Sequence, residues 1–374
     1  MLNRYSFSNE STFLQKVKSF DFILLFAILI IGIISSFSMY STDGGEILYH
    51  TKSHIIRFFI FYILMIILSF INVRYWHATG YIFYFVILAL LVWASFFGIT
   101  AQGSQRWVNL YLINLQPSEL MKIAIIICFA KFFHRVQLKN VNSLKNILFP
   151  IVILVIPIVL VISQPDLGTS FLIAFSGLVV LWLSGINIKY FVYSFIAFII
   201  AAPFAISVLK PYQKKRILTF FDPEKDPLGA GYQIIQSKIA VGSGGLSGKG
   251  FLKGTQSYLE FLPEKHTDFI FTLYSEEFGF IGSLILLLLY AIIILRVVVI
   301  GSSSRSFFGR LFCYGFAASL FIYIAVNMCM VLGLVPIVGS PLPIMSYGGS
   351  SMMAIMLGLG IAMSCKIHKD QPVG

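Results

Sequence analysis

Residues 260–300 read EFLPEKHTDFIFTLYSEEFGFIGSLILLLLYAIIILRVVVI, and they lead the chain from a polar loop directly into a long apolar segment. The apolar run begins at Phe269 and continues to Ile300, which is longer than the about 20 residues that a membrane-spanning helix needs. Asp268 is the last ionisable residue before this run. The junction therefore predicts a transmembrane helix with a carboxylate at its entrance.

The composition places the whole chain among membrane proteins. Of the 374 residues, 58% are apolar and only 11% are charged, whereas a soluble domain has about 25% charged residues. The four cysteines lie within or beside apolar runs and show no paired metal-ligand spacing, so we expect neither disulfides nor a zinc site. The first apolar run lacks a small-residue cleavage site, which predicts an uncleaved membrane anchor.

Apolar segments of membrane length predict an all-α polytopic membrane protein with about ten transmembrane helices. One connection, LVPIVGSPLPIMSYGGSSM at 334–352, contains three prolines and no charge. It predicts a non-helical backbone that must line a cavity or be covered by protein. The predicted spans are 21–41, 54–73, 79–99, 117–134, 146–163, 167–184, 188–209, 269–297, 307–333 and 346–366.

The distribution of cations predicts the orientation. Ten spans place both termini on one side, and most Lys and Arg of the short connections lie on that side. Only Lys52, Arg57 and Arg106 lie in the short connections opposite, so the positive-inside rule makes both termini cytoplasmic. The chain is then a single membrane domain with cytoplasmic tails at 1–20 and 367–374 and a large extracytoplasmic loop at 210–268.

Asp268 has two interpretations. A carboxylate held where water meets hydrocarbon is costly to desolvate, so its pKa should rise, and a raised pKa suits a general base working near neutral pH. Alternatively, Thr267 or Asp268 is the N-cap of the following helix.

Glu119 and Lys122 lie three residues apart, so they share one face of a helix just inside the membrane. Ionisable residues at this depth mostly face a cavity or a partner. The two residues form either a self-neutralising packing pair or the charged floor of an extracytoplasmic cavity, which Arg106, Trp107 and Gln116 of the preceding loop could complete. In both QPSEL at 116–120 and QPDLG at 164–168, proline is expected at the first helical position.

The loop at 210–268 carries a basic run, Lys214, Lys215 and Arg216, beside aromatic residues. Such a run attracts anionic lipid headgroups, and a specific contact with a pyrophosphate is the alternative. Residues 231–250, GYQIIQSKIAVGSGGLSGKG, predict a short amphipathic helix followed by a glycine-rich loop. The loop does not follow the Walker A pattern, so we expect neither nucleotide nor nucleic acid as a ligand.

Several motifs now coincide on one predicted side of the membrane, and together they resemble the SEDS family (shape, elongation, division and sporulation). The resemblance spans the chain from the first helix to the last, and it is closer to the RodA branch than to the FtsW branch. The RodA-like features are DPEKDPLGAGY, QSKIA and GTQSYLEFLPEKHTDF. The motifs are GSQRW at 103–107, QPSELMK at 116–122, QPDLGTS at 164–170, residues 222–245, EFLPEKHTDFIF at 260–271 and VGSPLPIMSYGGSS at 338–351.

The resemblance implies a peptidoglycan glycosyltransferase of the bacterial cytoplasmic membrane that polymerises lipid II on the outer face during cell elongation. It implies a class B penicillin-binding protein and elongation-complex membrane proteins as partners, in addition to membrane lipids. Asp268 is implied as the catalytic residue. The resemblance implies supporting roles for Glu119, Lys122 and Arg106. Further candidates to bind substrate or to support Asp268 are Gln116, Lys214, Lys215, Arg216, Thr255 and His266.

No metal ligand is assigned, because no cluster of carboxylates marks a site, although a divalent cation could assist the departure of pyrophosphate. Two other functions remain open. A lipid II flippase would show inverted repeats or helices broken near the bilayer middle. A non-catalytic scaffold would not require Asp268.

Overall fold

The computed structural model describes residues 12–101, 104–109, 114–208, 214, 218–226, 229–255, 264–371 and 373. Of the residues singled out above, Lys215 and Arg216 lie outside this set. The same is true of residues 256–263, which separate Thr255 from the HTDF motif.

The described residues are mostly helical. The helices are α1 (Phe13–Lys18), α2 (Phe22–Thr42), α3 (Tyr49–Ser69), α4 (Val73–Phe97), α5 (Pro117–Arg135), α6 (Leu144–Ser163), α7 (Leu167–Leu183), α8 (Ile188–Val208), α9 (Ala230–Ser243), α10 (Ile270–Ser303), α11 (Phe307–Val331) and α12 (Gly349–Ile367). Short 3₁₀ helices occupy Leu138–Asn140 and Pro223–Lys225. The strands are β1 (Ile99–Ala101), β2 (Ser104–Asn109) and β3 (Asn114–Leu115).

Each predicted span corresponds to one helix of the structure, which confirms a polytopic helical membrane protein. Seven of these helices, α2, α3, α4, α6, α10, α11 and α12, are long and apolar enough to cross a membrane. Helix α7 is shorter, and α5 is interrupted by charges that include Glu119 and Lys122. The predicted start of the second span at residue 54 is wrong by five residues, because the polar first turn of α3 is helical. Its Thr51 is buried and bonds Asp43, a contact that hydropathy does not register.

Helix α5 lies at the centre of the bundle, where it contacts α4, α6, α7, α11 and α12. Nearly all of its side chains are buried, including those of Glu119, Lys122 and Lys131. Other helices expose large apolar side chains to the surroundings, such as Phe96, which is 72% exposed, and Phe26. A helix surrounded by protein can carry charges that lipid would not tolerate, which explains why the most polar span is the innermost.

A small antiparallel sheet lies in the connection between α4 and α5, and the sequence analysis did not predict it. The strand order is β1-β2-β3, with Ile99 opposite Trp107 and Val108 opposite Leu115. The strands have two to six residues, which is too short for a period-two pattern to be recognised. The sheet holds the strand that carries Arg106.

Five connections meet at one end of the bundle, which we call the loop end. Backbone and side-chain bonds join them: Gln116 N donates to Ser350 Oγ, and Arg106 Nε donates to Gln164 O. Tyr347 N donates to His266 O. The connections are the described parts of residues 43–48, 98–116, 164–166, 209–269 and 332–348.

The glycine-rich loop after α9 is inserted into a break in α10. The break is at Gly279, whose backbone is non-helical with φ +63°. Four backbone bonds fill it, since Lys249 N and Gly250 N donate to the carbonyls of residues 276 and 277, and the amides of residues 280 and 281 donate to those of 245 and 246. The predicted order of short helix and glycine-rich loop is confirmed, but the break it fills was not expected.

We expect Gly248→Ala to destabilise the protein severely. Gly248 has φ +78°, and a Cβ atom there would lie 2.0 Å from the Glu277 carbonyl oxygen. The left-handed conformation alone costs about 1–2 kcal/mol for an L-residue, and the clash would displace the loop from α10. Thermal denaturation in detergent measures the effect. Gly242→Ala is the matched control, because Gly242 lies in α9 with open space around it. Equal melting temperatures for the two variants would contradict the insertion.

Candidate active site

Asp268 lies half-buried at the loop end, in a turn that immediately precedes α10. The N-cap position of α10 is occupied by Phe269, which makes no side-chain cap bond. The interpretation of Thr267 or Asp268 as that N-cap is therefore wrong. The Thr267 hydroxyl instead bonds the Glu264 carboxylate, at 2.9 Å.

The main chain around Asp268 is fixed by contacts from α11 and from the 332–348 connection. Asn327 Nδ2 donates to Asp268 O at 2.9 Å and to Ser340 O at 2.7 Å. Ser346 Oγ donates to Thr267 O at 2.6 Å. These bonds are made to main-chain oxygens, so they fix the backbone that carries the Asp268 side chain.

The Asp268 carboxylate faces Gly339 of the 332–348 connection. Gly339 has φ +68°, and a Cβ atom there would lie 3.5 Å from Asp268 Oδ2. The connection is non-helical up to the start of α12, as its sequence predicted. Gly339 of this connection thus borders the carboxylate.

Glu119 and Lys122 are in contact inside the bundle. Lys122 Nζ lies 2.9 Å from Glu119 Oε2, and the same oxygen accepts a bond from the Tyr323 hydroxyl at 3.0 Å. The ammonium group also lies over the Tyr323 ring, 3.7 Å from its centroid. Tyr323 OH and Ser351 Oγ are 2.9 Å apart. The pair is therefore compensated by charge, hydrogen bonds and a cation–π contact.

Helix α11 connects this pair to Asp268. Tyr323, which touches both members of the pair, precedes Asn327 by four residues, so the two side chains lie on the same face of α11 one turn apart. Asn327 bonds the main chain of Asp268. One helix face thus carries both the partner of the charge pair and the anchor of the candidate catalytic residue.

Arg106 and Gln116 converge on a residue that the sequence analysis did not select, Asp166. Arg106 Nη1 lies 3.3 Å from Asp166 Oδ2, and Gln116 Nε2 donates to the same oxygen at 3.4 Å. The other carboxylate oxygen of Asp166 caps α7 through Thr169 N. Pro117 occupies the first position of α5 as predicted, but the expectation for Pro165 is wrong, because Asp166 is the N-cap and α7 begins at Leu167.

His266 is stacked on His50 with ring centroids 4.3 Å apart, and its Nδ1 lies 3.0 Å from Thr42 Oγ1. Burial, with a smaller contribution from His50, lowers the pKa of His266 to about 4. The imidazole is accordingly neutral near pH 7, and a neutral ring is unsuited to stabilising the negative charge of a pyrophosphate.

Thr255 is placed elsewhere. Its amide and its hydroxyl both donate to Glu276 Oε1, at 2.9 and 3.0 Å, and Lys249 Nζ lies 2.6 Å from the same oxygen. Thr255 therefore belongs to the attachment of the glycine-rich loop to α10. Of the basic run, the structure describes only Lys214, which is half-buried, and the role of the run stays a prediction.

Comparison with known proteins assigns the chain to a family. A family model described as FtsW/RodA/SpoVE, cell cycle protein, matches residues 18–371. The chain belongs to the FtsW/RodA/SpoVE family. The match includes every motif quoted above.

Relatives within the FtsW/RodA/SpoVE family cover most of the chain. Peptidoglycan glycosyltransferase MrdB of Escherichia coli K12 is 42% identical over 365 residues, which are 96% of this chain and 97% of MrdB. Stage V sporulation protein E of Bacillus subtilis is 36% identical over 293 residues, 78% and 79% of the two chains.

Two solved structures share the fold. A chain from a structure described as "Structural coordination of polymerization and crosslinking by a peptidoglycan synthase complex" is 29% identical with a TM-score of 0.81, covering 94% of this chain and 99% of that one. The rod shape determining protein RodA of Thermus thermophilus is 25% identical with a TM-score of 0.72, covering 94% and 98%.

Sequence reasoning missed three residues of this FtsW/RodA/SpoVE site, Asp166, Tyr323 and Asn327. Asp166 was visible in the QPDLG motif but was read only as part of a helix start. Asn327 is a fully buried amide inside an apolar span, and its polarity at membrane depth was the signal that could have identified it. Tyr323 carried no such signal, because a tyrosine in an apolar helix most often serves packing alone.

The arrangement combines three chemical features. Asp268 offers a carboxylate on a fixed backbone beside an open glycine. Arg106 is more accessible than Lys122, with 27% of its side chain exposed against 4%. Residues around Glu119 supply a buried polar network that holds the helices in register. This set suits proton abstraction next to an anionic ligand.

Proposed function

We propose that the protein is a peptidoglycan glycosyltransferase that polymerises lipid II into glycan strands during cell elongation. The observation that carries the proposal is Asp268: its backbone is anchored by Asn327, while its carboxylate lies beside Gly339. The family membership and the 42% identity to MrdB, a named peptidoglycan glycosyltransferase, support it.

Asp268 acts as a general base in the proposed reaction. A sugar 4-hydroxyl oxygen forms a bond to the anomeric carbon of the donor while the bond from that carbon to the pyrophosphate oxygen breaks. The bonding pair leaves with the lipid pyrophosphate, and Asp268 receives the hydroxyl proton. General-base assistance of this kind contributes roughly 10²–10⁴-fold to the rate.

The contact between Glu119 and Lys122 favours a single displacement at the anomeric carbon over a double displacement. A retaining mechanism needs a second carboxylate at about 5 Å that is able to act as nucleophile. Glu119 is unsuited to that role, because its Oε2 is engaged by Lys122 and Tyr323 in the protein interior. A single displacement with inversion at the anomeric carbon is therefore the proposed course.

Stabilisation of the departing pyrophosphate falls to Arg106 and the basic run Lys214, Lys215 and Arg216. Lys122 is nearly fully buried and is neutralised by Glu119, so it positions α5 and α11 instead of binding the anion. Arg106 has 27% of its side chain exposed at the loop end, while its guanidinium contacts Asp166 and the carbonyl groups of Gln164 and Pro165. Cations aimed at developing negative charge provide this kind of transition-state stabilisation.

The loop end is the extracytoplasmic face in this proposal, and both termini lie in the cytoplasm of a bacterial cell. The cation distribution supports the orientation. A class B penicillin-binding protein is the proposed partner that crosslinks the new strands. Support comes from the fold shared with a chain of a peptidoglycan synthase complex whose description joins polymerisation to crosslinking.

The test is the polymerisation of fluorescent lipid II by the full chain reconstituted in vesicles with a class B penicillin-binding protein. We expect glycan strands on a gel, formed with the transpeptidase inhibited by penicillin, because polymerisation does not require crosslinking. Movement of labelled lipid II between leaflets is measured in the same vesicles. Transfer between leaflets without strands would overturn the proposal in favour of the flippase.

A further inference from the structure

Three side chains with metal-ligating atoms meet at the loop end, separate from the Glu119–Lys122 pair. His50 Nδ1 lies 3.4 Å from Asp43 Oδ1, and His266 Nδ1 lies 3.9 Å from the same oxygen. One ligand atom of each residue lies within 4.8 Å of the other two. Two imidazoles and a carboxylate at such distances surround a common point.

These distances are close to those around a bound metal ion. Bond lengths of about 2.0–2.2 Å to nitrogen and oxygen in a tetrahedral site place neighbouring ligand atoms roughly 3.3–3.5 Å apart. The two distances to Asp43 Oδ1 therefore require a contraction of at most about 0.6 Å, and the two histidine nitrogens, which lie within 4.8 Å of each other, one of up to about 1.5 Å. We propose that Asp43, His50 and His266 form a binding site for a divalent transition-metal ion of the zinc type.

The donor set selects the class of metal. Imidazole nitrogen suits zinc, copper, iron and nickel, whereas magnesium and calcium prefer sites built from oxygen. Three protein ligands leave a fourth position for water or another ligand. His50 has 42% of its side chain exposed, so the site has an entry path from the solvent at the loop end.

The carboxylate is already oriented for this role. The side chain of Asp43 is 2% exposed, and its second oxygen, Oδ2, accepts bonds from Thr51 N at 2.9 Å and Thr51 Oγ1 at 2.6 Å. These bonds leave Oδ1 directed toward the two histidines. Outer partners of this kind fix the geometry of ligating residues in metal sites.

The two rings must turn for the ion to bind. They are now stacked with an angle of 18° between their planes, whereas a metal ion lies in the plane of each ring that ligates it. His266 Nδ1 must also release Thr42 Oγ1, which lies 3.0 Å away. Both changes are side-chain rotations, and the backbone of His266 stays attached to Tyr347 N.

An ion at this site links two parts of the chain. Asp43 and His50 belong to the connection between α2 and α3 and the first turn of α3, while His266 precedes Asp268 by two residues. Binding would tether the turn that carries Asp268 to the α2–α3 connection and so restrict its motion. This regulatory consequence rests on the proposed function, whereas the metal site does not.

The test uses Co²⁺ as a spectroscopic probe on the purified, metal-free full chain, without lipid II. We expect one Co²⁺ per chain with the visible absorption of imidazole-ligated cobalt, displaced by Zn²⁺. His50→Ala should weaken binding by on the order of 100-fold, since losing a ligand should exceed the roughly 10–100-fold typical for an outer partner. Lys52→Ala is the control, because Lys52 is exposed in the same turn, and it should bind like the wild type.

Asp43→Asn is the second variant, and its amide oxygen can still accept from Thr51, so folding is preserved. It should also lose cobalt binding. Unchanged binding in both His50→Ala and Asp43→Asn, or no cobalt on the wild type at millimolar concentration, would overturn the proposal. Because cobalt is measured in the absence of substrate, a failure here is separate from a failure of strand formation.

Discussion

Asp268→Asn is expected to abolish detectable glycan strands, with a fall in rate of roughly 10²–10⁴-fold from the loss of the general base. An amide has nearly the shape of the carboxylate but cannot accept the hydroxyl proton. The variant should fold, because Asn327 and Ser346 hold the main chain at residues 267 and 268 and make those bonds to carbonyl groups. The rate is measured with labelled lipid II in the presence of the partner.

Glu264→Gln is the matched control. Glu264 lies half-buried in the same turn, and its Oε2 accepts the Thr267 hydroxyl, which an amide oxygen can also do. The same carboxylate-to-amide change there should alter the rate by no more than about twofold, since surface and near-surface changes of this kind are usually small in energy. Loss of activity in both variants would point to a general effect on the turn.

A base and a binding group can be distinguished by kinetics. If Asp268 takes a proton in the transition state, Asp268→Asn lowers kcat while lipid II binding is retained. Asp268→Glu should recover part of the rate, because the carboxylate returns at a longer reach. Full-length strands made by Asp268→Asn at the wild-type rate would remove Asp268 from the mechanism.

The sequence predicted features that depend on local patterns, and it did not predict contacts between residues far apart in the chain. Hydropathy identified the spans because a segment that crosses lipid must carry mostly apolar side chains. Such a segment must also form a helix, which satisfies its backbone hydrogen bonds internally. The spacing of Glu119 and Lys122 predicted their contact because it is local to one helix. Tyr323, which also contacts this pair, lies more than 200 positions after Glu119 in the sequence, and no local pattern predicts the contact.

The same limit applies to the loop end. The break of α10 combines a glycine with φ +63°, Gly279, and backbone bonds from residues 245–250, and a single glycine in an apolar run does not by itself predict it. His50 was one of several scattered histidines until the fold placed it on His266. The catalytic role proposed for Asp268, by contrast, comes from the motif that the resemblance supplied.

Lys122→Met is expected to have the second large effect, a loss of about 3–5 kcal/mol of stability together with loss of activity. Removing one member of a buried ion pair leaves the other charge uncompensated. Glu119 is 5% exposed in its side chain, so water has little access to it. Glu119→Gln alone should be similarly harmful, because it leaves the Lys122 ammonium buried without a counter-ion.

The double variant Glu119→Gln, Lys122→Met distinguishes the contribution of the charge pair to stability from its contribution to the position of Asp268. With both charges removed, most of the lost stability should return, since replacing a whole buried pair is often close to neutral. The amide introduced at position 119 would be able to accept the Tyr323 hydroxyl, but the cation–π contact of Lys122 with that ring would be gone. Stability is read from thermal denaturation, and activity from strand formation.

We expect the double variant to regain stability while its strand formation stays at least about tenfold below the wild type. The reason is geometric: Tyr323 and Asn327 share one face of α11, so a shift of α11 that follows the loss of the Lys122 contact with Tyr323 also moves Asn327, which holds Asp268. A loss of about 1.4 kcal/mol in transition-state stabilisation is enough to lower the rate tenfold. Recovery of both stability and rate would instead show that the pair only neutralises itself, and α11 would then position Asp268 through Asn327 alone.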